Sequence, residues 1–133
     1  MAEWQGGTGY IGKNGQGGSI QIGTVDGVPG VGPMELILLG VAGCTAIDIV
    51  NILSKKRKHL TDFRVEVQGK RAEDHPKIYT EITIEYQLWG GQDLDKKSVE
   101  QAIALSEEKY CSASAMLAKS AVITSEYNIF EPK

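Results

Sequence analysis

The spacing of hydrophobic and polar positions changes period several times along the chain, and each change marks an element. From Met34 to Leu53 the run MELILLGVAGCTAIDIVNIL is apolar on nearly every side. That is the pattern of a helix wrapped by the rest of a protein rather than one lying on a surface. Pro33 suits a first helical position, Glu35 favours the positive N-terminal end, and KKRK at 55–58 favours the negative C-terminal end. A central helix of roughly six turns is predicted over 33–58.

Beyond it the period falls to two. Phe63, Val65 and Val67 alternate with Arg64, Glu66 and Gln68, and Ile82, Ile84, Tyr86 and Leu88 alternate with Thr83, Glu85 and Gln87. One apolar and one polar face predict half-buried antiparallel strands, a β-hairpin over 62–89 joined through AEDHPK. The segment 93–120 reads as two helices. The first carries Val99, Ile103 and Leu105 or Ser106 near one stripe, and the second begins at or just before Cys111. The β-branched run AVITSEYNIF predicts a final strand over 121–130.

Ahead of the central helix no long period exists. Eleven of the sixteen glycines lie before Pro33, and Asn14-Gly15 and Asp26-Gly27 are turn signals between strand-like pieces at 9–12 and 19–24. Residues 1–32 are predicted to form a glycine-rich β-hairpin ending in a loop. The order β-β-α-β-β-α-α-β makes an α+β fold, read as a single domain over 1–133. GTGYIG at 7–12 matches G-x-G-x-x-G in form only: KNGQGG comes after it and breaks any helix, whereas a dinucleotide site needs a strand before and a helix after.

Composition narrows the function classes. At 133 residues, with 41% hydrophobic and 23% charged positions, the chain has ordinary globular proportions. A net charge of −3 gives no reason to expect nucleic acid or an anionic membrane as a partner. The opening residues lack the basic and apolar regions of a secretory signal, and the longest uninterrupted apolar run, Leu36 to Ala42, is far short of the roughly 20 residues of a membrane span. The expected location is cytoplasmic, where a permanent disulfide is unusual and two cysteines mean packing or transient redox work.

Those cysteines carry the chemistry worth weighing. Cys111 opens a short helix, where backbone N–H groups favour a thiolate, and Lys109 precedes it by two residues. Cys44 is mid-helix with Asp48 as its local polar companion at i+4, so any cation favouring a thiolate has to come from another segment or chain. Gly40, Ala42, Gly43 and Ala46 thin the helix around Cys44, and Ser112 to Ala115 thin the start of the later helix. Two thin helices can pack with their sulfurs in contact, and the same small residues also serve helix–helix packing alone. His59 and His75 have no metal-ligand spacing, and both are expected to be exposed. No metal and no bound cofactor is expected.

GPMELILLGVAGCTAID, with SEEKYCSASAML some 65 residues later and a last strand, resembles the OsmC/Ohr family of cysteine-based hydroperoxide reductases. The resemblance implies two antiparallel β-sheets wrapped around long central helices, in an intertwined homodimer with active sites at the interface. It implies that Cys44 attacks an organic hydroperoxide and becomes a sulfenic acid. Cys111 then condenses with it to a disulfide, which an external dithiol of lipoyl type reduces. The family holds its attacking thiolate with an arginine from the N-terminal hairpin, paired with a glutamate directly after the helix-opening proline. Here Lys13 is the sole cation in the first 54 residues, Met34 comes directly after Pro33, and the glutamate is Glu35. At about 100° per residue Glu35 lies about 180° from Cys44 on a straight helix. Lys13, Glu35 and Asp48 are the candidate supporting residues. The alternative function is a non-catalytic thiol redox sensor or a small-molecule-binding protein on the same fold.

Overall fold

The computed structural model describes residues 1–133. The chain forms two compact parts, Met1–Ile37 and Leu38–Lys133. The division has its origin in local pairing: every strand before residue 33 pairs with another strand of that same stretch.

In the first part, β1 (Ala2–Trp4), β2 (Tyr10–Lys13) and β3 (Ser19–Ile22) form an antiparallel sheet in that order, and β4 (Thr24–Val25) pairs with β5 (Val28–Pro29). The predicted hairpin is therefore β2–β3, with Asn14 at its turn accepting from the N–H groups of Gln16 and Gly18. Two features exceed the sequence reading. A third strand, β1, lies too close to the chain start to show a period, and the expected loop contains a second hairpin. At its turn Asp26 and Gly27 adopt φ of 50° and 76°, the left-handed pair that a two-residue hairpin turn requires.

Helix α1 (Pro33–Lys55) opens where predicted and ends three residues early, its chain turned by Arg57 at φ 59°. Glu35 accepts the Gly32 N–H at 2.8 Å, satisfying a backbone donor at the helix entry. The expectation that the helix is wrapped on all sides is corrected. Only Val41, Thr45, Ile49 and Leu53, one stripe at i+4 spacing, are buried, while Leu39, Ile47 and Val50 are exposed. A stripe at i+4 spacing is what a helix shows when one face is packed and the other is not.

In the second part, β6 (Leu60–Arg71) and β7 (Tyr79–Gly90) form the predicted antiparallel pair, and β8 (Val122–Phe130) joins the other edge of β7 in parallel. The sheet, order β6-β7-β8, is thus mixed rather than antiparallel throughout. The reason is the connection: β7 returns to β8 through helices, and such a crossover delivers a parallel neighbour. Alternation on β7 works as read, with Ile82, Ile84, Tyr86 and Leu88 all fully buried, each such side chain worth about 2 kcal/mol of burial. Helix α2 (Lys96–Leu105) starts at Asp95, whose carboxylate accepts the Ser98 N–H at 3.1 Å. Val99, Ala102 and Ile103 form its buried stripe, continued by Ser106 rather than Leu105, which is exposed.

Candidate functional site

Between α2 and α3 (Ser112–Leu117) the chain runs through a π-helical turn, Ser106–Tyr110, closed by Cys111 N–H donating to the Ser106 carbonyl at 2.7 Å. One π turn widens the helix and rotates the residues beyond it, and such turns gather at functional sites. Here it does three things. Ser106, fully buried, donates its hydroxyl to Asp48 Oδ2 on α1 at 3.0 Å. Glu107 accepts from Tyr86 Oη on β7 at 2.8 Å and from Ser125 Oγ on β8 at 3.2 Å. Cys111 is delivered to the cap position of α3, 3% exposed.

The structure brings Cys44, Asp48 and Cys111 together: both sulfurs and a carboxylate oxygen lie within 4.8 Å of one another. Cys44 and Asp48 meet because they are one turn apart on α1, and Cys111 joins them from the end of the π turn. Cys44 is half-buried and Cys111 buried; both are free thiols.

The Cys111 sulfur accepts from Ser114 N–H at 3.4 Å and Ser114 Oγ at 3.2 Å. Those bonds favour a thiolate, as the helix-start argument anticipates. Burial opposes them, is the larger effect, and with the neighbouring Cys44 sulfur pushes the Cys111 thiol above its ordinary value. The expected lowering at Cys111 is therefore reversed by desolvation. Lys109 does not assist, since it is exposed with its ammonium 5.4 Å from the Tyr110 ring centre. Tyr86 is held far above the ordinary phenol range, first by burial and then by the Glu107 carboxylate, so it stays a neutral donor.

Of the supporting residues, Asp48 stands in the cluster. Lys13 is ion-paired with Glu3 on the adjacent strand of its own sheet at 2.9 Å, and Glu35 is engaged at Gly32. His59 is exposed and bonded to Asp93 at 2.7 Å. Ser106, Ser114, Tyr86 and Glu107 do not stand out as site residues in the sequence. The one available signal is Ser106, a polar residue on the buried stripe of α2.

A groove of about 390 Å³ runs from Asp48 along α1, lined also by Ile52, Leu105, Tyr110 and Lys55. Because Asp48 belongs to both, the groove opens beside the thiol cluster.

The fold and this thiol pair invite comparison with known proteins. A family model described as OsmC-like protein matches residues 25–126. The chain belongs to the OsmC-like family. Its relatives include Protein YhfA of Escherichia coli K12, 35% identical over 127 residues, which span 96% of this chain and 94% of that one. Among solved structures, a hypothetical protein from Aquifex aeolicus VF5 is similar with a TM-score of 0.87 and 35% identity, over 100% of this chain and 96% of that one. The organic hydroperoxide resistance protein OhrB of Bacillus subtilis shares the fold at a TM-score of 0.66 and 18% identity, covering 96% and 95% of the two chains. That likeness is one of fold. Membership also explains α1, which by length and composition alone could cross a membrane, with a mean hydropathy of 2.2. In this fold its buried stripe belongs to a protein core, and the mid-helix carboxylate of Asp48 is bonded to Ser106.

Proposed function

We propose that the chain is a thiol-dependent peroxidase that reduces organic hydroperoxides as part of an oxidative stress response. The observation that carries the reading is the approach of two free sulfurs to within 4.8 Å, one more accessible than the other. The Cys44 thiolate attacks the outer peroxide oxygen. The O–O bond breaks, Cys44 becomes a sulfenic acid, and the alkoxide leaves and takes a proton to become the alcohol. The Cys111 sulfur then attacks the sulfenic sulfur, water leaves, and a disulfide forms; an external dithiol of lipoyl type returns both cysteines to thiols and is itself oxidised.

The bond lengths required are short. A disulfide needs about 2.05 Å between sulfurs, so side-chain rotation must close the remaining gap. Asp48, held by Ser106, stands beside both sulfurs. The groove beside Asp48 offers the apolar surfaces of Ile52, Leu105 and Tyr110 to an alkyl or aryl group, which supports organic peroxides over hydrogen peroxide. The exposed Leu39, Ile47 and Val50 on α1 support a homodimer with its active sites near the interface. Reduced thiols of this kind suit a cytoplasmic location.

The decisive experiment is stopped-flow consumption of cumene hydroperoxide, tert-butyl hydroperoxide and hydrogen peroxide by the fully reduced, chelator-treated protein, beside a Cys44→Ser control. Fast consumption that needs Cys44 and prefers the organic peroxides is expected. A rate no better than that of a free thiol removes the peroxidase reading and leaves redox sensing or small-molecule binding.

A further inference from the structure

The thiol pair has a third member that a disulfide mechanism does not require. Cys44 and Asp48 present a sulfur and a carboxylate from one face of α1, and Cys111 presents a sulfur from the end of the π turn, all within 4.8 Å of one another. We propose that in the reduced protein these three side chains form a binding site for a thiophilic divalent cation of the zinc class, with a fourth coordination position open.

The donor set selects that class. Two thiolates and one carboxylate suit a borderline-soft ion such as Zn²⁺. Magnesium and calcium want six or more oxygen ligands, and a single carboxylate does not supply them. The distances suit it too. Metal–sulfur bonds of about 2.3 Å at a tetrahedral angle put two sulfurs roughly 3.8 Å apart. From within 4.8 Å the ligands close on an ion by side-chain rotation alone, a smaller contraction than the disulfide demands.

The groups behind the ligands are arranged as they are around metal centres, where outer hydrogen bonds fix the ligand orientation. Ser106 Oγ donates to Asp48 Oδ2 and so fixes the orientation of the carboxylate. Ser114 donates twice to the Cys111 sulfur. Cys111 is buried while Cys44 and Asp48 are half-buried, so the site is shielded on one side and open on the other. Binding releases the two thiol protons to solvent. It occupies the sulfur that attacks peroxide, so a metal-loaded cluster and a disulfide exclude each other.

The test is an anaerobic titration of the reduced full chain with Co²⁺ as a spectroscopic probe, and then displacement with Zn²⁺. Equimolar uptake is expected, with a thiolate-to-cobalt charge-transfer band and the intense visible bands of four-coordinate cobalt. Asp48→Asn, which keeps both thiols, should weaken binding at least about tenfold. Cys44→Ser and Cys111→Ser should each diminish the charge-transfer band. Circular dichroism of each metal-free variant reports folding, and the wild-type protein oxidised to its disulfide, which needs no substitution, should take up no cobalt. Uptake without a thiolate band, or an affinity unchanged in Asp48→Asn, overturns the proposal. Peroxide consumption is measured on chelator-treated protein, so the failure of either reading is seen without the other.

Discussion

Ser106 and Asp48, 58 positions apart, are joined by a hydrogen bond of 3.0 Å from the serine hydroxyl to the carboxylate. This contact ties the π turn to α1 and sets the orientation of the carboxylate beside both sulfurs. Ser106→Ala leaves a partly buried carboxylate oxygen without its donor, which should lower the unfolding free energy by about 1 kcal/mol. Urea denaturation of Ser106→Ala, Asp48→Asn and the double variant measures the coupling: the two single effects should together exceed the double if the pair acts as a unit.

The roles of the two cysteines separate by trapping. Cys111→Ser treated with one equivalent of cumene hydroperoxide should accumulate a sulfenic acid at Cys44, captured by dimedone and located by mass spectrometry. The wild type should show a disulfide under the same conditions, and Cys44→Ser neither product. Equal dimedone labelling of wild type and Cys111→Ser contradicts the resolving role.

Burial raises the Cys111 thiol above its ordinary value of 9.0, and its reactivity should change accordingly. In a Cys44→Ser background, alkylation by iodoacetamide should be slower than that of a free thiol at neutral pH, with a midpoint on the alkaline side of the ordinary value. Ser114→Ala removes the hydroxyl bond that favours the thiolate, so the midpoint should rise further. A midpoint below the ordinary value would show that the helix start outweighs desolvation after all.

Three carboxylates, Asp62 and Asp95 half-buried and Asp93 exposed, contribute to acid stability. Lys133 is the first cause lowering Asp62, the His59 ring lowers Asp93, and Ser98 ahead of Lys58 lowers Asp95, all from an ordinary value of 3.8. Each binds its proton less tightly folded than unfolded, so its contribution is present above that value and is lost as pH falls below it. The urea midpoint should drop between about pH 5 and pH 2. The drop should be shallower in Asp95→Asn; an identical slope removes Asp95 from the account.

The apolar face of α1 predicts an assembly. Ile47 is 65% exposed and Val50 43%, an unusual placement for large aliphatic side chains on a helix this apolar. Light scattering should give about twice the chain mass of 14.4 kDa. Ile47→Glu should shift the protein toward monomer and, where the active sites depend on the interface, slow peroxide consumption in parallel.

Much of the fold was legible because it is written in periods. The even positions of β7 and the stripe of α2 through Val99, Ile103 and Ser106 are spacings that any sheet or helix burying one face must show. The helix start at Pro33 and the turn at Asp26-Gly27 are equally local, since each depends on backbone groups within a few residues. The pairing of Cys44 with Cys111 was one of two open readings, and the family resemblance rather than any spacing favoured it.

The remainder depended on contacts between distant segments, which carry no period. Nothing in SEEKY distinguishes an α turn from a π turn, because both use the same residues and differ in one backbone hydrogen bond. That bond decides where Ser106, Glu107 and Cys111 point. Helix apolarity stated how much of α1 must be covered; only the sheet's placement showed which stripe this chain covers by itself. The β-branched run of β8 was visible, whereas its parallel pairing comes from the route through α2 and α3. The net direction at Cys111 was decided by desolvation, a property of the packed core that no neighbour in sequence could report.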